Sequence, residues 1–356
     1  MDNRSGTNST PRGSAAALAA LVIALAGCQT SEPPPTSARA FTPQIGPIAS
    51  PPPAFEPMPV PADNPMSPEK VALGRQLFFD KRLSGDGSRS CYSCHVCEKG
   101  LTDGLPTAVG AYDKKLPRSS PTLWNIGYHS QFYWDGRSPS LDKQALAAWE
   151  GGNMGAKPVD KVKEINAIPG YRDQFQKVFG GEATPDNVVM AISAYERTLF
   201  CGTTAWDRFN QGDTSALSES AQRGWAVWRE KAGCGSCHAG ILFTDLQYHN
   251  VGIGMDQPEP DIGRKKVTNQ DSDTGAFKTP TLRDISKSAP YFHNGSVATL
   301  EEAVDFMLAG GAPNPHLDTV NLKKVTLTAE EKADLIALLK SLDCECTLSE
   351  PPLPGI

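Results

Sequence analysis

The chain has 356 residues, 34 Lys and Arg against 40 Asp and Glu, and a formal net charge of -6 at pH 7. That length accommodates two ordinary domains with a core each. With no long Lys/Arg run, the charge excludes a nucleic-acid surface, because phosphate binding needs a concentrated positive field.

Arg4 and Arg12 lead into an apolar run from Ala15 to Ala26 that is too short to span a bilayer. It ends on Leu25-Ala26-Gly27-Cys28, which resembles a bacterial lipobox. The resemblance implies cleavage before Cys28, lipidation of its thiol and a chain tethered at the periplasmic face. Residues 1–28 are therefore expected to be a lipoprotein signal peptide. No other apolar stretch is long enough to cross a membrane. Residues 29–64 shift to Pro, Ser and Ala, with Pro33-Pro34-Pro35 and Pro51-Pro52-Pro53. Such a run favours extended polyproline backbone, so a linker is expected here.

The remainder reads as two copies of one plan. Gly74-Arg75-Gln76-Leu77-Phe78 precedes Cys91-Tyr92-Ser93-Cys94-His95, and Gly224-Trp225-Ala226-Val227-Trp228 precedes Cys234-Gly235-Ser236-Cys237-His238. Both leading segments have helical apolar spacing with a Gly and an aromatic at i and i+4, which suits a close helix crossing. Each copy ends on a capped amphipathic helix. Thr184-Pro185 opens the first, with Val188, Ile192, Tyr195 and Leu199 on its apolar side; Thr328 and Glu331 form a capping box before Leu335, Ile336, Leu338 and Leu339. Gly, Pro and Asn loops fill the rest. The expected fold is mostly α and loop-rich, with one haem-binding unit over 65–205, a second over 206–346, and a tail over 347–356.

The Cys-x-x-Cys-His pattern carries the chemistry. Haem vinyl groups form thioethers with the two Cys, and the adjacent His is then placed to ligate the iron. A redox dithiol or a zinc site would not require that His. Two covalently bound haem c groups are thus expected, on Cys91, Cys94 and His95 and on Cys234, Cys237 and His238. The sixth iron position separates catalysis from electron transfer. His129, His249, His293 and His316 are the other histidines, and Met307 falls on a helix after Thr299. Met307 reads equally as an axial ligand, which would raise a reduction potential, or as a core gap-filler. Trp134 reads as a buried aromatic. Cys97, Cys201, Cys344 and Cys346 could form up to two disulfides in an oxidising compartment, with three pairings open.

Several segments together resemble the bacterial di-haem cytochrome c peroxidase/MauG superfamily. They include Leu77-Phe78-Phe79-Asp80, Arg82-Leu83-Ser84, Arg118-Ser119-Ser120-Pro121-Thr122, Trp134-Asp135-Gly136-Arg137 and Glu196-Arg197-Thr198-Leu199. Asp261-x-Gly263-Arg264, Phe277-Lys278-Thr279-Pro280-Thr281-Leu282-Arg283 and Ala289-Pro290-Tyr291-Phe292-His293-x-Gly295 extend the likeness, which runs from about Pro65 to Leu342. The resemblance implies two cytochrome c-like domains packed around an inter-haem interface. In it, the N-terminal haem reacts with hydrogen peroxide and the C-terminal haem relays electrons from a small cytochrome or cupredoxin. In MauG-like members, a side chain on a partner protein is oxidised instead. It places Trp134 between the haems, Met307 as sixth ligand of the electron-transfer haem, and Gln144 in the peroxide pocket.

Departures from the family pattern carry information too. The loop Gly110-Ala111-Tyr112-Asp113 lacks the His that caps the peroxidatic haem in gated peroxidases, which favours an open iron of the MauG-like kind. Asn153-Met154-Gly155 stands where the peroxidases have Glu-Met-Gly, leaving Glu150, one turn earlier, or Gln144 with water to move the proton. Ser119 replaces the asparagine of the family's calcium site, leaving Ser288 and Pro290 as carbonyl ligands to a possible calcium ion. A competing reading is a non-catalytic di-haem electron carrier. It requires strong ligands on both sides of both irons, and His129 is the residue to watch for the first.

Overall fold

The computed structural model describes residues 41–355; the signal segment, Cys28 and the start of the Pro-rich stretch lie outside the described residues. The helices are α1 (Pro68–Phe79), α2 (Leu141–Glu150), α3 (Pro158–Asn166), α4 (Pro169–Phe179) and α5 (Pro185–Glu196), then α6 (Ala205–Asn210), α7 (Glu219–Glu230), α8 (Lys265–Thr268), α9 (Leu300–Leu308) and α10 (Ala329–Lys340). Among the described residues, the sheet is one antiparallel pair, β1 (Tyr248–His249) on β2 (Phe277–Lys278). The fold is mostly helical and loop-rich.

Helix boundaries follow from side chains that satisfy the first free amides. Ser67 accepts from Lys70 N ahead of Pro68, and Thr184 forms a capping box with Asn187. Thr299 does the same with Glu302, and Thr328 with Glu331. Leu199 lies beyond the end of α5 in a turn, though still buried in the core.

Two hydrophobic clusters organise the body. One gathers Leu73, Leu77 and Phe78 of α1 with Val188, Ile192 and Tyr195 of α5; the other gathers Val227 and Trp228 of α7 with Leu335, Leu338 and Leu339 of α10. In each, the helix leading into a Cys-x-x-Cys-His motif crosses the closing helix at its glycine. A methyl on Gly74 would run into the Ala191 carbonyl, and one on Gly224 into the Asp334 carbonyl. The crossings fix where each haem motif leaves its helix.

Both ends of the described residues pack where the sequence suggested free segments. From 41 to 64 the Pro-rich stretch contains no helix, but it lies against the body. Phe55 is buried beside Tyr128, whose hydroxyl donates to Glu56 O, and Asn64 donates to Asp142 and to Met190 O. Closely spaced prolines break helix interiors and sheet ladders without preventing contact, and Phe55 and Asn64 anchor the stretch. At the other end, Cys346 pairs with Cys97 and Cys344 with Cys201, each with Cα atoms 5.6 Å apart. The last residues then continue over the first core: Arg75 donates to Ser349, and Arg82 to Pro354 O. The pairing left open by sequence thus clasps the C-terminal segment onto the first half.

Gly74→Ala and Gly224→Ala are each expected to destabilise the fold by about 1–3 kcal/mol, the usual cost of overpacking, measured by denaturant unfolding. Removing the Cys201–Cys344 bridge as a paired serine variant is expected to cost about 2–5 kcal/mol in the same assay.

Candidate functional site: two haem-binding cavities sharing a tryptophan

Each Cys-x-x-Cys-His motif is a single 3₁₀ turn, Cys91–Ser93 and Cys234–Ser236. His95 N and His238 N donate back to Cys91 O and Cys234 O at 3.1 and 2.9 Å, so each imidazole follows the turn inward. His95 Nδ1 lies 3.0 Å from Leu101 O, and His238 Nδ1 lies 3.0 Å from Phe243 O. A carbonyl only accepts, so both Nδ1 atoms carry the proton and both Nε2 atoms hold a lone pair. Burial pushes both imidazoles below their ordinary pKa, which favours the neutral form that can ligate a metal. The carbonyls are aimed by left-handed backbone at Leu101 (φ 57°) and Phe243 (φ 52°). Cys91, Cys94, Cys234 and Cys237 are unpaired. This donor set, two free thiols and one neutral imidazole per turn beside a cavity, fits haem c at both motifs.

The cavities differ. The first, about 540 Å³, is lined by Cys94 and His95 with Phe132, Tyr133, Leu141, Gln144 and Asn153. The second, about 270 Å³, is lined by Cys234, Cys237 and His238, and by Met307 from α9. Met307 therefore shares a cavity with His238. Trp134 lines both cavities, and its indole N–H donates to Ser119 O at 3.0 Å. Its carbonyl accepts from Lys278 N at 2.8 Å, which joins the turn to β2. The same turn is tied by charge: Arg118 reaches Asp135 at 2.7 Å and Asp261 at 2.7 Å, and Arg137 reaches Asp135 at 2.9 Å.

His129 also lines the first cavity. Its Nδ1 lies 3.2 Å from the Lys278 ammonium, which also donates to Gln131 O at 2.7 Å. An ammonium has only protons to offer, so Nδ1 accepts and the neutral ring carries its proton on Nε2. Burial keeps His129 neutral and pushes Lys278 down to about 8. In this arrangement His129 has no lone pair left for an iron.

Of the residues expected around peroxide, Gln144 lines the first cavity, whereas Glu150 is exposed at the end of α2 and does not line it. The α2 register explains this, because Glu150 closes the helix on its solvent side while Asn153 returns to the cavity wall. Tyr133 is a cavity residue that sequence reasoning passed over; its hydroxyl lies 3.3 Å from Gln144 O and Arg137 covers its ring at 3.4 Å. The missing glutamate was the signal that could have prompted a search for another proton donor beside Trp134.

The residues expected around calcium line the second cavity, and there the hydroxyls of Ser119 and Ser288 and the carbonyl of Ser119 are engaged. Ser119 Oγ donates to Phe292 O, Ser119 O accepts from Trp134, and Ser288 Oγ donates to Ile285 O. Calcium takes six to eight oxygen ligands, and this set does not assemble such a shell. No step is assigned to calcium.

With this geometry in place, the likenesses to known proteins are specific. A family model described as di-haem cytochrome c peroxidase matches residues 68–215. The chain is 39% identical over 307 residues to the methylamine utilization protein MauG of Methylorubrum extorquens, covering 84% of this chain and 85% of that protein. It is 38% identical over 347 residues to the cytochrome-c peroxidase IdrP1 of Denitromonas iodatirespirans, covering 88% and 90%. Among solved structures, a MauG-like protein associated with microbial copper homeostasis superposes with a TM-score of 0.74 at 36% identity, over 83% of this chain and 95% of that one.

Two haems per chain that resist acid–acetone extraction are the expected outcome of a pyridine haemochrome assay, with one lost in a Cys234→Ser/Cys237→Ser variant. Met307→Leu should retain both haems and lower the reduction potential of one, read by spectroelectrochemical titration.

Proposed function

The chain belongs to the di-haem cytochrome c peroxidase and MauG family, and on that premise we propose that it reduces hydrogen peroxide at the first cavity with electrons relayed through the second. The observation that carries this reading is the inequality of two similar sites across one tryptophan. The second cavity pairs His238 with a thioether, a ligand set that favours electron transfer. The first has His95 and, among its other polar residues, Gln144, Asn153, Tyr133 and a His129 whose lone pair is taken by Lys278. Haem c attached at each motif supplies the redox-active iron that takes oxidising equivalents from peroxide.

The protein's own residues do the rest. The Leu101 and Phe243 carbonyls orient the two imidazoles, and the Arg118–Asp135–Asp261 cluster holds the Trp134 turn across the interface. Trp134 offers an oxidisable indole to both cavities, with its N–H held by Ser119 O. Electrons come from a small cytochrome or cupredoxin. A second reading, oxidation of a side chain on a partner protein, is favoured by the loop at 110–113, where Tyr112, 65% exposed, and its neighbours include no histidine. Export and lipid anchoring through Cys28 belong to the same proposal, and rest on Leu25-Ala26-Gly27-Cys28.

Stopped-flow mixing of the fully oxidised protein with peroxide is the deciding measurement. A rapid optical change without prior reduction is expected; reaction only after half-reduction would place the protein with gated peroxidases, and no reaction or cyanide uptake in either state would leave a carrier. Trp134→Phe should preserve the initial peroxide reaction and slow donor oxidation by about 10-fold or more, followed as donor absorbance.

A further inference from the structure

The first cavity needs a group that can pass a proton between the two oxygens of peroxide. The expected carboxylate is absent from its wall, since Glu150 is exposed and Asn153 and Gln144 carry amides that do not titrate. Asp135 and Asp261 line it but are committed, the first to Arg118 and Arg137 and the second to Arg118 and Lys266.

Tyr133 is placed differently. Its backbone sits at φ 67°, in a turn closed by the Phe132–Ser138 bridge. The second half repeats that turn at Tyr291–Val297, with Phe292 at φ 69°. Both residues line the cavity of their own half. The turn therefore accepts a plain phenyl ring, and the hydroxyl of Tyr133 is an addition confined to the cavity where peroxide would react. That hydroxyl donates to Gln144 O over a long contact of 3.3 Å, so it can be exchanged for a better acceptor. Arg137 over the ring at 3.4 Å restricts its swing.

We propose that the Tyr133 phenol is the proton-transfer group of the peroxide cavity, in place of a carboxylate. Resting on the functional reading above, the step runs as follows. The phenol donates its proton to the outer oxygen of hydrogen peroxide and takes up the proton that the inner oxygen releases. The O–O bond breaks as it accepts two electrons from the cofactor side, where the inner oxygen stays; it leaves as a second water once it has taken two protons from solvent and the external donor has returned the two electrons. Both hydrogens of the peroxide leave on one water, and the phenol is regenerated. Burial raises the phenol pKa, so the group is protonated when peroxide arrives.

The test uses the holoprotein and Tyr133→Phe, a change that the Phe292 turn shows to be compatible with the backbone. The second-order rate constant for peroxide should fall about 100-fold or more, a typical share for general acid–base catalysis. Independently of turnover, fluoride bound to the oxidised protein reports a hydrogen-bond donor over the iron, and its dissociation constant should rise about 10-fold or more. Haem content and melting temperature should match wild type, and Glu150→Gln should react at the wild-type rate. Tyr133→Phe reacting as fast as wild type overturns the proposal, whatever fluoride does, and so does an unchanged fluoride affinity with a slower rate. A Glu150→Gln variant that loses the reaction also overturns it. Wild-type protein inert to peroxide would instead overturn the functional reading and this proposal together, an outcome distinguishable because Tyr133→Phe would then have no rate to lose.

Discussion

Two hydrogen bonds set the terms for everything else in this molecule: His95 Nδ1 to Leu101 O and His238 Nδ1 to Phe243 O. A histidine after a Cys-x-x-Cys turn can rotate about two bonds, and only a fixed Nδ1 partner turns it into a directed ligand. The carbonyl that does this belongs in each case to a residue held in left-handed backbone, a conformation that costs on the order of 1–3 kcal/mol for a bulky side chain. Both residues are nearly fully buried, Leu101 at 0% and Phe243 at 2% exposure, and their packing is what offsets that cost. Core and ligand geometry are thus one problem: loosening the packing around Leu101 would release the imidazole before it melted a helix.

On this common frame the two halves diverge at few positions. The turn at Phe132–Ser138 presents Tyr133 and Trp134, and its counterpart at Tyr291–Val297 presents Phe292 and His293. Ser119 binds the two turns together, donating its N–H to His293 O and its hydroxyl to Phe292 O while accepting from the Trp134 indole. Met307 has α9 to place it in the second cavity, whereas the corresponding wall of the first is built from α2 and the Asn153 loop. The two halves share a scaffold, and the residues at its turns line each cavity differently.

Much of this was legible in the sequence because local rules govern it. The haem motifs, the capped starts of α5 and α10, and the glycine crossings depend on residues close together in the chain. The resemblance added the shared position of Trp134 and the pocket position of Gln144. What stayed hidden depended on tertiary contact. Helical spacing put Glu150 one turn from Asn153 but could not say that it closes α2 facing water. Four cysteines allowed three pairings, and only the path of the last residues selects one. Tyr133 was passed over because its neighbour Trp134 carried the stronger signal, and the contact that gives its hydroxyl a meaning, with Gln144 O, crosses from a turn to a helix.

The clasp at the C-terminal end has a consequence for biogenesis. Chains emerge and fold from the N-terminus, and the first half can collapse while the second is still being made. Yet the partners of Cys97 and Cys201 are Cys346 and Cys344, which follow every other cysteine in the sequence. Neither native bridge can close until the whole second half has been translated, so the thiols of both haem motifs coexist with unpaired cysteines throughout. Under the covalent attachment proposed above, maturation is therefore a question of order, with thioether formation at Cys91 and Cys94 competing against premature oxidation with Cys97, three residues from Cys94.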